Sequence, residues 1–233
     1  MNGHLSIAID GPSGAGKSSL ARRCAAAFGF IYVDTGAIYR TVGLAALRRG
    51  IDRRDEGAVS KILPLLKISM GYDCRGEQRM YLDGEDVSEQ IRLPEVSICA
   101  SDVSALPSVR SFLLDMQRQM AREHDVIMDG RDIGTVVLPE AELKIYLTAS
   151  AGARARRRLL ELEKKGIPAD YGEVLRDIEY RDRQDSERAA APLKAAGDAV
   201  LVDTSEIDFE ESFRLLSGII KEKLGIGPEG ADK

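Results

Sequence analysis

The sequence is poor in the features that would place it outside a reducing compartment. Its three cysteines, Cys24, Cys74 and Cys99, are odd in number and far apart. That excludes a disulfide framework and offers no zinc-like spacing, so a cytoplasmic protein is expected. Positive charge is not in excess either: 33 lysines and arginines face 38 acidic residues, a net charge of −5. Nucleic acid is therefore not expected as the main partner. No apolar run approaches the roughly 20 residues that span a bilayer, and no membrane association is expected. The opening "MNGHLSIAID" lacks a charged start and a long apolar stretch, and so reads as no signal peptide. Internal repeats, low-complexity segments and a guanine-reading N-K-x-D are also missing.

What is present starts with "IAIDGPSGAGKSSL", Ile7 to Leu20. Gly11, Gly14 and Gly16 with Lys17 and Ser18 give the spacing G-x-x-x-x-G-K-S. Glycines permit positive φ and close backbone approach, so successive N–H groups can converge on an anion. An apolar strand precedes the loop and the helical "KSSLARRCAAAF" follows it. The phosphate then meets the positive end of a helix. In such a loop Lys17 reaches the β- and γ-phosphates, and the Ser18 hydroxyl ligates the Mg²⁺ that accompanies ATP. A nucleoside triphosphate site follows, although the motif alone does not separate a kinase from a GTPase or a motor.

Five short apolar runs, "LSIAI", "FIYVD", "DVIMD", "LKIYLT" and "AVLVD", alternate with helical patterns. They predict an α/β fold with a doubly wound, five-stranded parallel sheet. Two connections are too long for simple crossovers. The first, from Thr35 to about His124, opens with a helix for which Thr35 is a plausible N-cap and Ile38, Val42 and Ala45 the apolar stripe. "KISMGYDCRGEQRMYLDGEDVS" then alternates like a small antiparallel hairpin or meander, and Pro94 and Pro107 start two more helices. The second connection, Ser150 to about Ala191, holds two charged helices. Ser150 caps the first and Gly166 stops it; Asp170 caps the second, whose buried face is Tyr171, Val174, Leu175 and Ile178. This pair reads as a mobile lid. The domain expectation is a P-loop core from residues 1–34, 111–150 and 189–225, an acceptor-binding insertion over 35–110, an arginine-rich lid over 151–188 and a flexible tail over 226–233.

A P-loop with a large insertion and such a lid suggests phosphoryl transfer between two bound molecules, with water kept out. Arg154, Arg157 and Arg158 share one helical face without acids on their own turn, which favours phosphate contact over a solvated basic face. Arg181, Asp185 and Arg188 share another, where the ordinary alternative is an intrahelical salt bridge. "VIMDGRDIGT" puts Asp129 at a strand end, where a P-loop protein keeps its second acidic residue, and a simple turn explains neither Arg131 nor Asp132. Arg40, one turn after Thr35, stands where it can hold an acceptor phosphate.

Six segments in one order, "IAIDGPSGAGKSS", "DTGAIYR", "DGEDVSEQIR", "DGRDIGTVVLPEAELKIYLTAS", "RARRRLLELEKKG" and "RDRQDSERAAAPL", resemble the bacterial cytidylate kinases, from the first strand to about residue 205. The resemblance implies ATP-dependent phosphorylation of CMP and dCMP to the diphosphates; a monomer is expected. By that resemblance Gly11, Pro12, Ser13, Gly14, Ala15, Gly16, Lys17, Ser18 and Ser19 hold ATP and Arg157 closes over it. Thr35, Arg40, Arg131 and Arg188 lie about the acceptor phosphate. Ser101, Arg110 and Asp132 read the cytosine edge, and Arg181 and Asp185 contact the ribose or its neighbourhood. Lys17, Arg131, Arg157 and Arg188 are the catalytic set. Two positions depart from the family pattern: Thr35 replaces a serine and keeps its hydroxyl, and Ser18 replaces a frequent glycine. Another small-molecule P-loop kinase, a nucleotide switch and a P-loop module without transfer chemistry remain as alternatives.

Overall fold

The computed structural model describes residues 3–164 and 166–228, so most of the expected tail, 229–233, lies outside the described residues. In chain order the elements are β1 (Ser6–Asp10), α1 (Lys17–Phe28), β2 (Ile31–Asp34), α2 (Thr35–Arg48), α3 (Glu56–Ile62), β3 (Ile68–Tyr72), β4 (Gln78–Leu82), β5 (Glu85–Asp86), α4 (Pro94–Ser104), α5 (Pro107–Glu123), β6 (Val126–Gly130), β7 (Leu143–Thr148), α6 (Ala151–Lys164), α7 (Tyr171–Glu187), β8 (Val200–Asp203) and α8 (Phe209–Leu224). One five-stranded sheet has the order β2-β6-β1-β7-β8, and one three-stranded sheet the order β3-β4-β5. The chain divides into two compact units, one made of the residues up to Tyr32 with those from His124 onward, the other Val33–Glu123.

In the first unit β1 pairs in parallel with β6 on one side and β7 on the other, and β7 pairs in parallel with β8. Every residue of β1 and β6 is buried, which is why both read as unbroken apolar runs rather than alternating ones. Ile7, Ile9, Ile127 and Ile145 pack with Leu20 and Cys24 of α1 and with Leu216 and Ile220 of α8. Each such aliphatic side chain contributes about 1.5–3 kcal/mol by leaving water. Strand order reverses about β1, so the carboxyl ends of β1 and β6 open the crevice where ligands bind in such sheets. β1 leaves the sheet through Gly11, whose φ is 149°. A Cβ there would lie 1.9 Å from the Leu147 carbonyl oxygen of β7, so only glycine fits.

The second unit is built round α2, which is buried well beyond the Ile38, Val42 and Ala45 stripe. α4 crosses it closely at Gly43, where a Cβ would stand 2.9 Å from the Ala100 nitrogen. The antiparallel sheet pairs Met70 with Met80 and Ile68 with Leu82, and Met80 and Leu82 face the same core as Ile38 and Val42. Val109 and Leu113 bring α5 into that core.

Two local expectations need correction. Thr35 is not the cap of α2. Asp34 is: its Oδ1 accepts from the Ala37 N–H at 2.9 Å, and Thr35 is the first, buried, helical residue. Tyr171 is exposed at the start of α7, whereas Val174 and Ile178 pack on Ala155 of α6. Asp170 and Ser150 accept N–H groups at their helix starts as expected.

Candidate active site

In the first unit the loop Gly11–Gly16 joins β1 to α1, with φ positive at Gly11, Gly14 and Gly16. Those conformations turn the backbone into a concavity closed by the N-terminus of α1. Lys17 is not the exposed charge its loop-end position suggests. It is 5% exposed and its Nζ donates to the Pro12 carbonyl at 2.8 Å. Burial, then the nearby Arg131 guanidinium, push its ammonium down to about 7, against the pull of Asp129, Asp185 and Asp10. Ser18 Oγ donates to Asp129 Oδ2 at 2.9 Å, and Tyr32 Oη donates to Asp129 Oδ1 at 2.8 Å. A hydroxyl and a carboxylate thus stand together at the end of the P-loop, hard oxygen donors of the kind Mg²⁺ accepts.

The segment after β6 carries two arginine–aspartate pairs. Arg131 Nε donates to Asp185 Oδ2 of α7 at 2.7 Å. Arg188, just past the end of α7, donates from Nη2 to Asp132 Oδ1 at 3.4 Å and from Nε to the Ala191 carbonyl at 2.6 Å. Ala191 holds a φ of 50°, unusual outside glycine, so the turn that fixes Arg188 stores strain of the sort found at ligand sites. Asp185 therefore pairs with Arg131 rather than with Arg181 on its own helix, and Arg181 is exposed. The three arginines of α6 part company. Arg154 is buried, binds Asp182 with both terminal nitrogens and donates to the Ser13 and Ala149 carbonyls. Arg157 donates to Thr204 and to the Ile207 carbonyl, in the loop after β8. Arg158 is exposed and pairs with Glu161 at 3.0 Å. The shared basic face predicted from spacing is thus one P-loop strut, one loop clamp and one surface pair.

The family model for cytidylate kinase matches residues 7–222. A cytidylate kinase of Pelotomaculum thermopropionicum is 47% identical over 93% of this chain and 96% of its own length. One of Caldicellulosiruptor bescii is 50% identical over 89% and 91%, and one of Lactobacillus gasseri 46% over 96% of each. The chain belongs to the cytidylate kinase family. In this cytidylate kinase the second unit carries the other expected acceptor residues. Arg40 Nη2 donates to Asp34 Oδ2 at 2.7 Å, while Arg40 Nε is buried with no hydrogen-bond partner. Gln78 of β4 holds Asp34 in turn, accepting from its N–H at 2.7 Å and donating to its carbonyl at 3.2 Å. Arg110 lies 5.5 Å over the Tyr39 ring and donates to the Ser104 carbonyl at 3.1 Å; Ser101 is exposed on α4.

Four residues of this kinase escaped the sequence reading. Asp34 holds Arg40, Asp182 holds Arg154 and Tyr32 holds Asp129. The fourth, Asp10, ends β1, is buried, and accepts from the Ile133 and Gly134 N–H groups at 2.8 Å each. Burial raises its carboxyl to about 6, opposed by those two N–H groups. A charged residue closing an otherwise apolar strand was the available signal for Asp10 and for Asp34; Tyr32 and Asp182 gave none.

Proposed function

We propose that this cytidylate kinase transfers the γ-phosphoryl group of ATP to CMP or dCMP, giving ADP and CDP or dCDP. The observation that carries the reading is the gathering of one P-loop cation, Lys17, with two aspartate-held arginines, Arg131 and Arg188, on the first unit. Hydrolysis of one nucleotide needs the first. Two more cations, kept in place by carboxylates that a phosphate displaces, suit a second phosphorylated molecule. Arg40 on the second unit fits the same duty, because its buried Nε lacks the acceptor that a phosphate oxygen supplies.

The P-loop amides from Gly11 to Ser19 and the Lys17 ammonium bind the triphosphate and neutralise charge on the migrating group. Arg157 closes the ATP side. Thr35, Arg40, Arg131 and Arg188 orient the acceptor phosphate, and Arg181 and Asp185 stand towards the ribose. Ser101, Arg110 and Asp132 read the base. Cytosine offers an amino donor to the Asp132 carboxylate, whereas uracil presents a carbonyl there, a mismatch that such sites reject strongly. Mg²⁺ bound with ATP would supply neutralisation of phosphate charge. Ser18 and Asp129 would be the oxygen donors for it. The three free cysteines favour a reducing, cytoplasmic setting, and no described helix is long and apolar enough to cross a membrane.

Phosphorus NMR of a mixture with ATP, Mg²⁺ and CMP tests the reading. The expected products are CDP and ADP in equal amounts, with no inorganic phosphate. Release of inorganic phosphate at the same rate with and without CMP would overturn it.

A further inference from the structure

The segment after β6 ends in a single π-helical turn, Ile133–Val137, with Asp132 in the capping position. An aspartate there ordinarily accepts the first N–H groups of its own turn. Asp132 makes no such bond. The N–H groups of Ile133 and Gly134 go instead to Asp10, one to each carboxylate oxygen. The donors come from 123 and 124 residues further along the chain. The Asp132 carboxylate is turned to Arg188. Asp10 also precedes Gly11 directly, so one strand end sets both the P-loop and this turn.

We propose that Asp10 is a positioning residue for base choice: by capping the turn in place of Asp132, it keeps the Asp132 carboxylate directed at the acceptor. The inference rests on the reading of Asp132 as the residue that meets the cytosine amino group. Without the Asp10 carboxylate, the two N–H groups are left in a buried place with one acceptor lost. The nearest replacement is Asp132 itself, which caps its own turn and leaves the base. π-turns recur at functional sites, where they re-aim side chains in this way.

The test compares Asp10→Asn, Asp132→Ala and the double variant, with kcat/KM for CMP and for UMP. Asp10→Asn is expected to lower the CMP-to-UMP ratio by about tenfold or more, the consequence of one lost buried acceptor, the ratio being taken at saturating ATP so that any effect on ATP through Lys17 falls equally on both bases. In the Asp132→Ala background the same change should leave the ratio where it is. An unchanged ratio in Asp10→Asn, or a further fall in the double variant, would overturn the proposal. An unchanged ratio in Asp132→Ala would instead sink the base-reading assignment, and it is seen without any change at Asp10. Where Asp10→Asn does not fold, hydrogen exchange in the unaltered enzyme decides. The Ile133 and Gly134 amides should be protected and slow further with CMP but not with ATP alone, and exchange as fast as in an open loop refutes the capping.

Discussion

Lys17 is the place where the structure changes what ATP binding should look like. Its ammonium is pushed down to about 7 in the empty protein, first by burial and then by Arg131. At pH 8 the amine of the empty protein is then mostly neutral. A triphosphate in the P-loop reverses the balance and the amine regains its proton. ATP binding at pH 8 should therefore take up protons, and the Kd should rise as the pH is raised from 8 to 9. Titration calorimetry in two buffers of different ionisation enthalpy gives the proton count, at pH 8 where the terminal phosphate of free ATP is already ionised. Lys17→Met should abolish the uptake. The same shift bears on stability. The folded value lies below the unfolded one, near 10.5, so the unfolded chain holds the extra proton between the two. This group's contribution accordingly rises with pH from about 7 to about 10.5, and Lys17→Met should flatten that rise while leaving the protein folded. No proton uptake by the unaltered protein at pH 8 would refute the reasoning, because Lys17 would then already be charged in the empty loop.

Asp132→Ala should bring kcat/KM for CMP and UMP together by about tenfold to a hundredfold, with ATP affinity little changed; equal losses for both bases would show that Asp132 does not read the base. Gly43→Ala forces α2 and α4 apart against backbone, with Cβ contacts of 2.9 Å to the Ala100 nitrogen and 3.2 Å to the Cys99 carbonyl carbon, and should cost about 1–3 kcal/mol in urea unfolding. An unshifted midpoint would deny the close crossing. Asp182→Ala leaves the buried Arg154 with main-chain acceptors only; because Asp182 is itself 28% exposed, the loss should be about 1–3 kcal/mol, below that of a fully buried pair, read by thermal melting. Hydrogen exchange across Ala151 to Glu187 should slow when a bisubstrate mimic is bound, and unchanged exchange there would remove the lid from the account.

The strands were legible because burial on both faces writes itself as runs such as "SIAID" and "VIMDG", and the P-loop because its glycines answer a backbone demand local to eight residues. The duties of the arginines were not legible. Arg154, Arg157 and Arg158 look alike on one helical face, yet their partners are Asp182, the Thr204 loop and Glu161. Two of those lie 28 and 47 residues away, beyond the reach of helical spacing. The burial of Lys17 was not legible for a related reason: it depends on the elements that fold over the loop end. Asp34 and Thr35 differ by one residue, and either side chain can cap a helix; the backbone at Asp34, extended at φ −83° and ψ 95°, made the choice.

The central claim is transfer to a cytosine nucleotide, and the most direct measurement is coupled ADP release with ATP and Mg²⁺ against each nucleoside monophosphate in turn. The account predicts turnover with CMP and dCMP, kcat/KM at least about tenfold lower with UMP, and no ADP release above background when the acceptor is left out. Turnover with AMP, GMP or UMP equal to that with CMP, or ADP release that ignores the acceptor, would contradict it.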